Sequence, residues 1–503
     1  MQTFDRVKQA AGRLLLSDGL RAKTMRGGAW LGTGSVAEQT ARFARNMLLA
    51  RLLAPGAFGT MAIVMSSASL VDTLTDVGMK AAIIQNPQGA KWEYLNASWW
   101  LGMSRAAFSY CVIFLVAPWA AMFYGRPELT GLLRVALLGA LLIGAMSPRS
   151  ILTQREMKFG RWAAITNGGG VCGVVTTIIL SLFIRDVWAL AIGYCAEQAF
   201  RCLLSYILCP GLPSLRVDWR AARDLLTFSR QVVGLSFMNV IIGRADVFVL
   251  ARLYSSTVLG LYAMGISLVA TPTGFLVNVL GQGLLPALSS VQEQKERVNR
   301  ILLETTAWLA LLGIPAATAI CLCAPNLLTV IFGARYAAAV GPLCIAAAVA
   351  LTNVVYHATT CVLYAQGRPA VHRWAVAATA AATVIAMYPA CKYLGPVGGQ
   401  AAALFAVAIG YLSQLVRLRH TAGLKLARYA AAFAPPALAA AGLVGVVLAG
   451  RSLGLRAKPA IDIAICAAGC VAAQGLCAWA HLRARRRHSD LYAAEKPISA
   501  AVV

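Results

Sequence analysis

The stretch LLARLLAPGAFGTMA, from Leu48 to Ala62, has a counterpart about 200 residues downstream, VLARLYSSTVLGLYA, from Val249 to Ala263. Both carry Leu-Ala-Arg-Leu, a short turn-like interval, a glycine and an apolar run. Two further echoes follow in the same order. APWAAMFYG (Ala117 to Gly125) pairs with APNLLTVIFG (Ala324 to Gly333), and QREMKFGRW (Gln154 to Trp162) pairs with QGRPAVHRW (Gln366 to Trp374). Three echoes in register imply an internal duplication of a unit about 200 residues long.

The medium of that unit follows from composition. Of 503 residues, 59% are hydrophobic and 13% charged, with a mean hydropathy of +0.69. Soluble domains are about half apolar and a quarter charged, so the chain is expected to be an all-α polytopic membrane protein. A helix needs roughly 20 apolar residues to cross the bilayer. On that measure spans fall near 31–53, 57–78, 96–118, 131–150, 163–184, 187–208, 229–252, 258–287, 303–324, 338–363, 374–394, 397–416, 429–450 and 460–480, fourteen in all.

Charge placement orients them. With both termini in the cytoplasm, Arg149, Arg155, Lys158 and Arg161 share one inner loop, and Arg216, Arg220 and Arg223 another. Roughly 30 Lys and Arg fall on that side and roughly 9 on the other, a strong positive-inside bias. The net charge of +26 is therefore read as topology and contact with anionic lipid, and no nucleic-acid partner is implied.

The expected organisation is a cytoplasmic amphipathic segment at 1–30, rich in Lys and Arg and without a signal-peptide core, then a six-span lobe at 31–228 and a second at 229–420. Spans 13 and 14 at 421–480 and a basic cytoplasmic tail at 481–503 complete it. Six is even, so the two lobes are parallel repeats about an axis along the membrane normal. Transporters so built place the substrate path between the halves.

Charge within spans is costly and usually functional. Glu38, Arg42 and Arg45 share one face of the first span, at spacings of four and three. The repeat sets Asn239, Gly243 and Asp246 at the matching positions of the seventh, with Arg244 beside them. Asp72 and Asp76 stand four apart in the second span, and Arg105 in the third. A cationic cavity of Arg42, Arg45, Arg105 and Arg244 is expected, with Glu38, Asp72, Asp76 and Asp246 balancing charge or coupling an ion. Glu197 and Arg201, four apart, read as a local ion pair, Arg134 as a surface residue that snorkels, and His357 as a satisfied polar contact. The G-x-x-x-G within Gly168–Gly173 reads as close helix packing. Pro272 with Gly274, and Pro315, are expected to interrupt the eighth and ninth spans. The thirteen cysteines lie mostly in apolar runs and read as small fillers. No metal or cofactor is expected, and no phosphate-binding G-x-x-x-x-G-K-[ST] is present.

ARLLAPGAFGTMAI, DVGMKAAIIQ, APWAAMFYGRPELTGLLRV and RADVFVLARLYSSTVLGLYAMG together resemble the polysaccharide-exporter branch of the multidrug/oligosaccharidyl-lipid/polysaccharide flippase superfamily, over roughly residues 30–420. QREMKFGRW fits the same family's loop after the fourth span. The resemblance implies a bacterial inner-membrane protein that moves undecaprenyl-diphosphate-linked oligosaccharide to the periplasmic leaflet, for exopolysaccharide, capsule or O-antigen assembly. It also implies a link to the polysaccharide polymerase and assembly machinery, no covalent chemistry, and an Asp in the seventh span, here Asp246. Three other readings stay open: a lipid II flippase, a multidrug/cation antiporter of the same superfamily, and a scaffold for glycosyltransferases that transports nothing.

Overall fold

A computed structural model of the chain describes residues 20–75, 79–156, 158–229, 233–452 and 459–494, and these are helical with no strand among them. The main helices are α1 (Leu20–Leu52), α2 (Pro55–Thr75), α3 (Trp92–Tyr124), α4 (Glu128–Gly144), α5 (Phe159–Phe183) and α6 (Val187–Leu208). They continue as α7 (Val233–Leu253), α8 (Ser256–Ser289), α9 (Lys295–Ile331), α10 (Val340–Ala365), α11 (Pro369–Ala422), α12 (Ala434–Ser452) and α13 (Pro459–Ala494).

Among the described residues, nine helices are long and apolar enough to cross a membrane, ten if a bent pair counts as one span. Only 17% to 39% of each apolar window is buried within the protein. The remaining apolar surface faces outward, which a lipid solvent accommodates and water does not. The chain is a multi-pass membrane protein.

The difference from fourteen expected spans has identifiable sources. The fourth is broken, because Glu128–Gly144 meets Pro148–Arg155 at 72°. The eleventh and twelfth lie in one continuous element, α11, divided at Gly395, whose φ of 65° and ψ of −148° no helix contains. Pro396 follows and cannot donate a backbone hydrogen bond. Helices α1, α6 and α7, which carry Glu38, Arg42, Glu197, Arg201 and Asp246, fall outside the apolar set. Helix α1, Leu20–Leu52, takes in residues ahead of the expected edge at 31. Pro272 and Pro315 do not interrupt their spans as expected: α8 and α9 run through them. A missing donor in a membrane helix is tolerated where neighbours re-satisfy the freed carbonyl.

Both copies of the second echo end a long helix at a left-handed glycine. Gly125 (φ 65°) closes α3 and Gly333 (φ 110°) follows α9, and each helix contains the echoed proline, Pro118 or Pro325.

Packing divides the chain into two compact units, Met1–Ala263 and Met264–Val503. In the first, α5 packs on α1 and α6, α4 on α3 and α6, and α7 on α2. The opening phrase and its counterpart meet there, through their glycines. A methyl on Gly59 would stand 1.9 Å from the Ser256 carbonyl oxygen, and one on Gly260 would stand 1.8 Å from that of Pro55. Each glycine thus lets its helix approach the other copy's backbone. Arg51 and Arg252 are exposed, and Arg252 stacks over Phe123 at 5.4 Å.

In the second unit α9 packs on α10, α12 and α13, and α10 on α11. The terminal pair α12–α13 joins α9 through Leu443, Val447, Cys466 and Cys470 against Ala319 and Cys323. Arg451 pins it, donating to both oxygens of buried Asp462 (3.1 and 2.8 Å) and to the Leu322 carbonyl (2.6 Å).

Candidate functional site

The charges of α1 enter a four-membered network. Arg42 donates to Glu38 Oε1 from Nε (3.0 Å) and Nη2 (2.8 Å), and from Nη2 to Glu197 Oε1 (2.5 Å). Arg201 contacts the same two carboxylates, at 3.2 Å from Glu38 and 2.9 Å from Glu197, and donates from Nε to the Thr166 carbonyl. The expected Glu197–Arg201 pair is therefore one edge of a neutral ring of two acids and two bases. Glu197 is 3% exposed, so each charge depends on its partners.

Glycines of α5 make room for the ring. A methyl on Gly169 would fall 2.3 Å from Arg201 Cγ, on Gly170 2.5 Å from Glu38 Oε1, and on Gly173 2.8 Å from the Glu197 Cα. The glycine run is a close-packing surface whose purpose is to bring three helices within ion-pair distance.

The other cations divide into paired and unpaired. Arg105 meets Asp72 at 3.0 Å and donates to its carbonyl. Arg45 has no carboxylate partner among the described residues and donates to the neighbouring Asn46 side chain at 3.3 and 3.2 Å. Asp246 is not paired with Arg45 despite the opposite charge at matching repeat positions. It accepts from the Tyr262 hydroxyl at 2.6 Å and from the Val247 backbone at 2.8 Å. Asp76 lies outside the described residues. Arg134 sits 4.0 Å over the Phe114 ring. His357, expected to be a satisfied contact, has a buried Nε2 with no hydrogen-bond partner among the described residues.

Arg244 is exposed, makes no ion pair among the described residues, and lines a cavity between α2 and α7. Ser69, Thr73, Ser236, Asn239, Val240 and Gly243 complete that wall, around about 330 Å³. A second cavity of about 280 Å³ shares Ser69 and Arg244 and adds Asp72, Ser109 and Tyr194. The expected stripe of Asn239 and Gly243 is thus on a cavity wall, and Ser236 extends it by one turn. Sequence reasoning missed Ser69, Thr73, Ser236, Tyr194 and Tyr262. A signal existed for three of them: Ser69 and Thr73 stand four apart in the second span, and Ser236 stands three before Asn239. One guanidinium among hydroxyls and an amide suits a polar anion with hydrogen-bonding substituents. Among the described residues no group of three His, Cys, Asp or Glu is placed to hold a metal.

Comparison with known proteins bears on family and fold. A family model described as "Polysaccharide biosynthesis protein" matches residues 48–341. The lipopolysaccharide biosynthesis protein WzxC of Escherichia coli (strain K12) is 23% identical over 319 residues, 63% of this chain and 65% of that one. A membrane protein in the cps region of Klebsiella pneumoniae is 22% identical over 323 residues, 63% of this chain and 66% of that one. The succinoglycan biosynthesis transport protein ExoT of Rhizobium meliloti (strain 1021) is 23% identical over 300 residues, 59% of this chain and 60% of that one. In each case the matched stretch spans just under two thirds of the relative or less. Among solved structures, the lipid II flippase MurJ in an inward closed conformation aligns with a TM-score of 0.73 at 12% identity, over 89% of this chain and 98% of that one. An inward-facing multidrug resistance MATE family transporter of the MOP superfamily aligns at 0.53 and 14% identity, over 77% and 98%. At these identities the likeness establishes the fold.

Proposed function

Because the chain belongs to the polysaccharide biosynthesis protein family, we propose that it is a flippase for undecaprenyl-diphosphate-linked oligosaccharide. It carries the head group from the cytoplasmic to the periplasmic leaflet of a bacterial inner membrane, with both termini cytoplasmic. The observation that carries this reading is Arg244, a guanidinium that makes no ion pair among the described residues, on a cavity wall of hydroxyls and an amide. A diphosphate takes the cation, and Arg offers it bidentate geometry. The saccharide takes the hydroxyl and amide groups, and the polyprenyl tail stays in lipid.

Arg45 is the second cation available to the diphosphate. Arg42 and Arg105 contribute to the same cationic region but rest on Glu38, Glu197 and Asp72, so substrate contact requires them to exchange partners. Asp72 and Asp246 balance charge or couple an ion. Transport proceeds by alternating access: the cavity opens to one side, receives the head group, and reopens to the other. No bond to substrate is made or broken. Released product passes to the polymerase and assembly machinery.

The fold likeness to a lipid II flippase leaves cargo to be decided by experiment. Expression of the chain in a strain depleted of its lipid II flippase is expected not to restore growth. Rescue of peptidoglycan synthesis there would replace the proposed cargo with the peptidoglycan precursor.

A further inference from the structure

A third cavity of the first unit lies apart from the charges of α1, α2 and α7. It occupies about 470 Å³ where α3 begins, α5 begins and α6 ends. Three cations line it, Arg149, Lys158 and Arg161, against one acid, Glu156. Glu156 is already engaged with Lys158 at 2.6 Å, so the wall carries an uncompensated charge of two. Arg161 makes no ion pair among the described residues.

The cations are organised. Arg149 donates to the Pro210 carbonyl at 3.0 Å and stacks over the Trp92 ring at 5.5 Å, within cation–π range. Its stem packs on Gly211, where a methyl would stand 2.9 Å from Arg149 Cδ. Buried Cys209 reports the field in the cavity: burial pushes its thiol pKa up, and Arg161 and Lys158 oppose that rise.

Leu95, Leu152 and Leu208 add apolar surface to the lining, beside the Thr153 hydroxyl. A cavity that brings cations and leucines together at the ends of three membrane helices matches an anionic phospholipid: phosphate to the guanidinium groups, chain along the leucines. Basic pockets between membrane helices bind such head groups, and basic residues at the membrane surface favour them. We propose that this cavity is a binding site for the phosphate head group of an anionic membrane lipid, and that Arg149 and Arg161 are its principal ligands. The proposal is independent of the cargo, since no residue of the Arg244 cavity takes part.

The test titrates the purified full chain in neutral detergent with dioleoyl phosphatidylglycerol or dioleoyl phosphatidylethanolamine and counts bound lipid by native mass spectrometry. The chain is expected to retain one phosphatidylglycerol in preference to phosphatidylethanolamine. The double variant R149Q/R161Q is expected to weaken that binding by about tenfold or more without changing phosphatidylethanolamine binding. R161Q alone, at an exposed side chain that makes no ion pair among the described residues, is expected to give a smaller loss in the same direction. Inorganic diphosphate at the same concentration should displace little phosphatidylglycerol. Equal phosphatidylglycerol binding by the chain and both variants overturns the site. Full displacement by inorganic diphosphate keeps an anion site but overturns the lipid as its ligand.

Discussion

Replacing Arg244 with Gln is expected to slow translocation of diphosphate-linked oligosaccharide by about ten- to a hundredfold, at unchanged abundance in the membrane. A hydrogen bond to a charged group contributes about 1.5–3 kcal/mol, and that range sets the factor. Stability should be spared because Arg244 is exposed to its cavity and makes no ion pair among the described residues. Arg244→Lys should retain part of the rate, since the point charge stays and the bidentate fork is lost. The measurement is the initial rate at which lipid-linked oligosaccharide in proteoliposomes becomes accessible on the opposite face. A normal rate in Arg244→Gln removes Arg244 from the substrate path.

Glu197→Ala is expected to act on stability, by about 3–5 kcal/mol, the cost of breaking a buried ion pair by removing one partner. Arg42 and Arg201 would then share Glu38 alone, with one positive charge in excess where Glu197 is now 3% exposed. The double variant Glu197→Ala, Arg201→Ala restores one acid to one base and should be more stable than Glu197→Ala alone. That sign, a second deletion that rescues the first, is what a coupled network gives and an isolated pair against solvent does not. Thermal midpoints of the purified variants in detergent, read by fluorescence-detected size exclusion, decide it. Equal midpoints for the chain and Glu197→Ala would mean that the ring holds nothing together.

These two residues mark where the sequence was legible and where it was not. Apolar runs of helical length, basic loops and the doubled Leu-Ala-Arg-Leu phrase specify a helical membrane protein, because hydropathy and length act locally. The polar faces of the first and seventh spans were legible too, because periodicity reports which side of a helix is polar. Periodicity is silent on which neighbour that side meets. Hence the stripe of Glu38 and Arg42 gives no sign of Glu197 and Arg201 as its partners, nor Asp246 of the Tyr262 hydroxyl.

The glycines of α5 connect the two levels. Gly169, Gly170 and Gly173 read as packing residues, and they are. What the string of letters lacks is the identity of the partner at each one: Arg201, Glu38 and Glu197. The backbone break at Gly395 falls between the expected eleventh and twelfth spans, 374–394 and 397–416; what Leu-Gly-Pro does not reveal is that the chain keeps its helical course on both sides. Prolines 272 and 315 erred in the other direction, because a membrane helix with packed neighbours absorbs a lost donor that would end a helix in water.

The proposal that this chain flips a diphosphate-linked oligosaccharide is tested most directly in cells that lack it. Lipid extracts of the deletion strain, analysed by mass spectrometry, are expected to contain the complete, unpolymerised oligosaccharide on undecaprenyl diphosphate at raised levels, while surface polysaccharide falls. Re-expression of the chain should reverse both changes, and the Arg244→Gln variant should not. Loss of surface polysaccharide without that intermediate, or accumulation of the peptidoglycan precursor in its place, would contradict the account.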